Sequence, residues 1–185
     1  MILPVFAYGH PVLKKKALDI DRDYEALPAL VSDMWDTMYS AHGVGLAAPQ
    51  IGLAIRLFVV DTIQMMEEGR EAEGIKKVFI NPIIVEETGK LWSYEEGCLS
   101  IPNIRGDVER PEKVRVRYFD AQFEPHDEIY EGVNARVIQH EYDHIEGVLF
   151  VEKLKPLKKK LIQGKLNDIR LGKASADYKI KFIKA

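Results

Sequence analysis

The sequence predicts an α+β domain: mixed, mainly antiparallel β-sheets packed around a central helix that carries an H-E-x-x-H run, with a further helix near the C-terminus. Three observations predict it. The β-branched and aromatic segments sit together in the middle of the chain without the strand–helix alternation of a parallel sheet. Apolar residues recur at helical spacing at the start and again near the end. A length of 185 residues suits one domain with one core, so residues 1–185 read as a single domain with a basic helix and tail from about 156.

In chain order, Leu27, Leu30, Val31, Met34 and Met38 share one face, and residues 23–41 read as an amphipathic helix. Gly43 ends it and opens a glycine-rich stretch in which Gly45 and Gly52 allow close backbone approach. Residues 56–61, 77–81 and 114–120 read as strands. Residues 64–76, charged and glycine-containing, read as a surface hairpin or loop. Residues 132–146 form the helix with the two histidines, and Gly147 is placed to stop it. Pro156 opens the last helix, which runs to about Leu171.

Composition narrows the setting. With 46% hydrophobic and 30% charged residues the chain is of ordinary globular make-up. One cysteine excludes an internal disulfide framework and fits a reducing compartment. The apolar N-terminal residues are too few for a membrane span and lack a basic leader, so the expected setting is the cytoplasm, with no membrane partner. Charge is uneven: residues 153–185 carry eleven Lys/Arg against two Asp, whereas the whole chain carries −3. The Lys158-Lys159-Lys160 block is in general terms a solvated helix face; the alternative is contact with an anionic partner.

His140, Glu141 and His144 make the H-E-x-x-H run. Residues four apart share a helix face, so both imidazoles can reach one metal ion, while Glu141 stands beside them as a base for water. Zinc peptidases of one large group add a third histidine after H-E-x-x-H-x-x-G, but here that position is Phe150. A downstream glutamate ligand is also excluded, because no glutamate follows Glu152. The third ligand therefore lies upstream, and Cys98 is the only thiolate available. A His₂Cys set accepts zinc, ferrous iron, nickel or cobalt. Two other readings stay open at this point: an H-E-x-x-H metallopeptidase cleaving internal bonds, and a non-catalytic metal-binding module in which His10, His42 or His126 completes the shell.

Three separated motifs carry a resemblance: residues 43–52 (GVGLAAPQIG), residues 96–100 (EGCLS) and residues 139–144 (QHEYDH), with the N-terminal stretch 9–14 (GHPVLK) in addition. In order and spacing they resemble the peptide deformylases, over most of the chain up to about Pro156. The resemblance implies a hydrolase that removes the formyl group from N-terminal formylmethionine of nascent polypeptides and releases formate. It implies one divalent metal ion, Fe²⁺ as the working ion with Zn²⁺, Ni²⁺ or Co²⁺ as replacements, on Cys98, His140 and His144. Glu141 is then the acid–base group, and the Gln50 side-chain amide and the Leu99 backbone N–H are the oxyanion donors. Val133 and Val137, on the same helix face as the histidines, become the wall of the methionine pocket. Val44, Gly45 and Gly97 become the segments along which the peptide lies like an added strand. Arg105 and Arg136 are expected to meet peptide carbonyls or face solvent, and Asp143 to pair with Arg110 or to take an ordinary surface role. The ribosome becomes the anionic partner to expect for the basic C-terminal helix, and DNA is not a partner.

Overall fold

The structure, a computed structural model, describes residues 1–184. Its elements are β1 (Val5–Phe6), α1 (Leu27–Ser40), β2 (Gly45–Ala47), β3 (Leu57–Asp61), β4 (Lys76–Cys98), β5 (Ile101–Phe119), β6 (Pro125–Glu131), α2 (Gly132–Ile145), α3 (Pro156–Arg170) and β7 (Ile180–Lys181). Five strands form one antiparallel sheet in the order β2-β3-β4-β5-β6, and β1 pairs with β7 in parallel. This is the mixed, mainly antiparallel α+β architecture the sequence predicts. No helix among the described residues is long and apolar enough to cross a membrane.

The main sheet is covered on both faces around β3. Phe58 and Val60 pack with Ala135, Val137 and Ile138 of α2, whereas Leu57 and Val59 pack with Met34 and Met38 of α1. Successive strand residues point to opposite faces, so a strand buried on both sides reads as the unbroken apolar run of residues 57–60, closed by Asp61. A third cluster joins Ile162, Leu166 and Ile169 of α3 to Ile101, Ile104 and Val108 of β5. α2 thus lies between the sheet and the turn joining β4 to β5, which is the position its histidines need.

Several boundaries differ from the sequence reading. α1 begins at Leu27 rather than at residue 23, because Ala26 takes a left-handed conformation (φ 54°) and Pro28 fixes the first turn. The strands expected at 77–81 and 114–120 are the outer ends of a ribbon spanning β4 and β5. Pro82, Gly89 and Pro111 argue against a strand locally. The ladder tolerates them because its register shifts between Ile80 and Ile83 and between Thr88 and Leu91. Residues 64–76, read as a hairpin or loop, form the loop, with short 3₁₀ turns at Ile63–Met65 and Glu71–Glu73. β2, β6 and the β1–β7 pair have no counterpart in the sequence reading; each is short and is defined by partners distant along the chain.

Candidate active site and metal centre

The site is built where α2 passes the end of β4. One sulfur or nitrogen atom from each of Cys98, His140 and His144 lies within 4.8 Å of the other two. Cys98 Sγ is 3.3 Å from His144 Nε2. Tetrahedral ligands at ordinary metal–S and metal–N lengths stand roughly 3.5 Å apart, so the donor set fits a single ion. His10 and His126 are bonded elsewhere, to the Lys181 carbonyl and to Asp120. His42 borders the cavity without joining the ligand group.

The tautomer of His140 is set from behind. Its Nδ1 lies 2.9 Å from Glu96 Oε1, so in the metal-bound form Nδ1 would carry the proton and Nε2 would give up its own to face the metal. Glu96 is buried and also accepts from Arg110 Nε (2.8 Å) and Arg136 Nη1 (2.8 Å). Burial alone pushes the Glu96 carboxyl up, but the hydrogen bonds from His140 and Arg110 outweigh it and hold the group well below the carboxylate range. Arg110 also donates to Asp143 at 2.8 Å, one of the two roles the sequence leaves open for Asp143.

Electrostatics around the ligands favour a cation. Burial lowers the His140 imidazole, yet hydrogen bonds to Cys98 and Glu96 outweigh it and raise it well above its ordinary value. Burial and the neighbouring His140 charge hold His144 well below its ordinary value, in the neutral form that ligates metal. Burial pushes the Glu141 carboxyl up to about 7, with the His140 charge pulling the other way. Glu141 Oε2 is buried with no hydrogen-bond partner, an orphaned acceptor beside the ligand set. Together these groups would suit a divalent ion held by Cys98, His140 and His144, with Glu141 Oε2 free beside it to accept a proton.

The glycine-rich segment places that carboxylate. β2 runs past Glu141 so closely that a Cβ on Gly45 would stand 2.5 Å from Glu141 Oε1. Gln50 follows in a buried 3₁₀ turn (Ala48–Ile51). Its Oε1 accepts from the Ala47 N–H (3.0 Å), which orients Nε2 toward Ser100 Oγ (3.2 Å) and Cys98 Sγ (3.5 Å). Gln50, Cys98, Leu99, His140 and Glu141 all border one cavity of about 840 Å³.

Among comparisons with known proteins, a family model described as "Polypeptide deformylase" matches residues 2–160. The chain belongs to the polypeptide deformylase family. The peptide deformylase of Christiangramia forsetii is 56% identical over 98% of this chain and 96% of its own length. That of Cytophaga hutchinsonii is 53% identical over 98% of both chains. A crystal structure of a peptide deformylase from Legionella pneumophila superposes with a TM-score of 0.80 at 40% identity, covering 91% of this chain and 95% of that one. Membership makes the protein a hydrolase that removes the formyl group from the N-terminal formylmethionine of new polypeptides, and sets aside the internal peptidase and the non-catalytic module. Deformylase chemistry is metal-dependent, and Cys98, His140 and His144 are a potential site for that metal.

Other residues singled out in the sequence are placed as follows. Val44, Gly45, Gly97 and Val137 line the deformylase cavity. Val133 does not: it borders a second depression of about 670 Å³ with Trp92 and Asn134. It shares the helix face of Val137 but sits one turn, roughly 5 Å, farther from the histidines. Arg105 is exposed and paired with Glu95 at 2.9 Å. Arg136, expected at peptide carbonyls or in solvent, is fully buried against Glu96 and the Trp92 and Val108 carbonyls, with its guanidinium 4.7 Å from the Trp92 ring centroid. The functional residue to which sequence reasoning gave no role is Glu96, present there only as the first residue of the 96–100 motif. Strand periodicity held the signal, since Glu96 and Cys98 are two apart and face α2 together.

Proposed function

We propose that the reaction is run by one divalent ion on Cys98, His140 and His144, with Fe²⁺ as the working ion and Zn²⁺, Ni²⁺ or Co²⁺ as replacements. The observation that carries this reading is the convergence of those three donors beside the orphaned Glu141 Oε2. When bound, the ion supplies Lewis acidity toward water and the formyl oxygen. Glu141, with a carboxyl near 7, takes a proton from the attacking water as its oxygen bonds to the formyl carbon. The Gln50 amide and the Leu99 N–H receive the negative charge developing on the formyl oxygen. Glu141 then returns the proton to the departing amine as the C–N bond breaks, leaving formate and a free N-terminus.

Val137 forms part of the wall against which the methionine side chain packs, a flexible thioether suiting an apolar, adaptable surface. Val133 stands outside that wall, on the second depression. The peptide backbone runs between residues 43–45 and Gly97 as an added strand. Residues 1–185 act as a single catalytic unit, working in the cytoplasm on formylmethionyl chains as they are made. The test is formate release from formyl-Met-Ala-Ser by metal-free protein reloaded with Fe²⁺ or Ni²⁺ without oxygen, beside acetyl-Met-Ala-Ser. Formate from the first and no acetate from the second is the expected result. Turnover unaffected by removing the metal would overturn the metal assignment.

The basic helix supports a ribosome contact. Lys158, Lys159 and Lys160 of α3 are exposed, whereas Ile162, Leu166 and Ile169 are buried. Removing α3 would therefore also remove core, and charge reversal is the cleaner probe. Lys158→Glu, Lys159→Glu and Lys160→Glu together are expected to weaken ribosome binding at low salt by about tenfold or more. Hydrolysis of the small formyl peptide should not change. Undiminished ribosome binding by the triple variant would sink the contact.

A further inference from the structure

The end of the chain returns to the cleft. After α3, residues 173–183 run without helix, bending at Asp177 and Tyr178, with even-numbered positions turned inward and odd ones exposed. Ala174, Ile180 and Phe182 pack on the apolar cluster shared by α3 and the start of β5. Backbone bonds fasten this strap: the Val5 and Ala7 N–H groups donate to the Lys179 and Lys181 carbonyls at 2.9 Å each. Asn103 Nδ2 donates to the Ser175 carbonyl at 2.9 Å, and His10 Nε2 bonds the Lys181 carbonyl at 3.0 Å. Ser175, Ala176, Asp177 and Tyr178 are thereby brought to the wall of the cavity that holds Cys98, Gln50 and Glu141. The strap lies beyond residue 160, where the family match ends.

One hydrogen bond ties the strap to the chemistry. The Tyr178 hydroxyl donates to the Leu99 carbonyl at 2.6 Å. Leu99 and Ser100 are the two-residue turn between β4 and β5. The Ser100 carbonyl in turn accepts from the Tyr8 N–H at 2.8 Å. Tyr8 follows β1 and Tyr178 precedes β7, so the terminal sheet grips both carbonyls of the turn, while Gln50 bonds the Ser100 hydroxyl from inside. A turn held at three points has little freedom to rotate its peptide planes, and oxyanion donors are effective because they need no reorganisation during reaction.

We propose that Tyr178 is a positioning residue for deformylation, its hydroxyl fixing the Cys98–Ser100 turn so that the Leu99 N–H keeps its aim at the formyl oxygen. This rests on the assignment of Leu99 and Gln50 as oxyanion donors made above. A group that acts on the transition state through its donor changes kcat more than KM, whereas a merely stabilising strap changes neither while the protein stays folded.

The experiment compares Tyr178→Phe, His10→Ala and Gln50→Ala in the metal-loaded full chain, reading kcat and KM for formyl-Met-Ala-Ser together with Tm. Tyr178→Phe keeps the ring and removes the hydroxyl alone; a roughly tenfold fall in kcat is expected, with KM within about twofold. His10→Ala loosens the same strap away from the cleft and should leave kcat within about twofold. Unchanged kcat in Tyr178→Phe beside an impaired Gln50→Ala would overturn the role of Tyr178 alone. Unchanged kcat in both would overturn the oxyanion assignment and this inference with it. Equal losses of kcat in Tyr178→Phe and His10→Ala would overturn it as well, by assigning the effect to strap attachment instead of the hydroxyl.

Discussion

Glu141→Gln is expected to keep its metal and lose deformylation by roughly 10²–10⁴-fold in kcat, the usual worth of a positioned acid–base group. The amide nearly reproduces the shape of the carboxylate but cannot take the water's proton. Glu141 is not among the three converging donors, so metal content should match that of the parent chain. Formate release and metal analysis on the same sample check both halves, and near-normal turnover would remove Glu141 from its role. A companion variant separates chemistry from placement. In Gly45→Ala the new Cβ would meet Glu141 Oε1 at 2.5 Å, closer than real Cβ atoms stand. Glu141 Cδ and Cγ would also stand within 2.8 Å, so the side chain must shift from Cγ outward, and all three atoms belong to a side chain rather than to backbone. Displacements of about 1 Å at a reacting group can cost on the order of 10²-fold in rate. Gly45→Ala should therefore lose at least tenfold in kcat with little change in Tm. Full activity would mean that β2 does not set the position of the base.

Chemistry concentrated at short sequence spacing was legible. His140, Glu141 and His144 occupy one helical turn, and the missing downstream histidine and glutamate left Cys98 as the thiolate to test. α2 and α3 were legible because their apolar faces repeat locally and Gly147 and Pro156 mark a stop and a start. What was hidden depends on pairing between distant residues. Residues 82–113 look broken by proline, glycine and acidic pairs, yet they form one ribbon because each half supplies the other's hydrogen bonds. Arg136 reads as a cation for peptide carbonyls or for solvent; its burial is intelligible only once Glu96, 40 residues earlier, is placed beneath it. The strap carries little apolar signal, since only alternate residues face inward, and its contact with Leu99 spans 79 residues.

Glu96→Gln should show how much the metal site depends on what lies behind it. In the parent chain one carboxylate neutralises two buried guanidiniums and holds the Nδ1 proton of His140. The amide keeps the shape but removes the charge, leaving Arg136 without an anion and Arg110 with Asp143 alone. Breaking a buried ion pair from one side costs about 3–5 kcal/mol, which for a chain of this size lowers Tm by roughly ten degrees. Metal affinity should fall about 10–100-fold, because the ligand's supporting hydrogen bond is weakened. The dependence on pH has a definite sign. The folded-state carboxyl of Glu96 lies below its unfolded value, so the unfolded chain binds the extra proton first as pH falls. The contribution of Glu96 is therefore complete above the unfolded carboxylate range and declines progressively below about pH 5. Glu96→Gln, which imitates the protonated group, should be far less stable than the parent at pH 7, with the gap narrowing toward pH 3.5 in the metal-free proteins. Denaturant midpoints across that range measure it. A gap of constant size would mean that the charge on Glu96 is not what holds Arg110, Arg136 and His140 together.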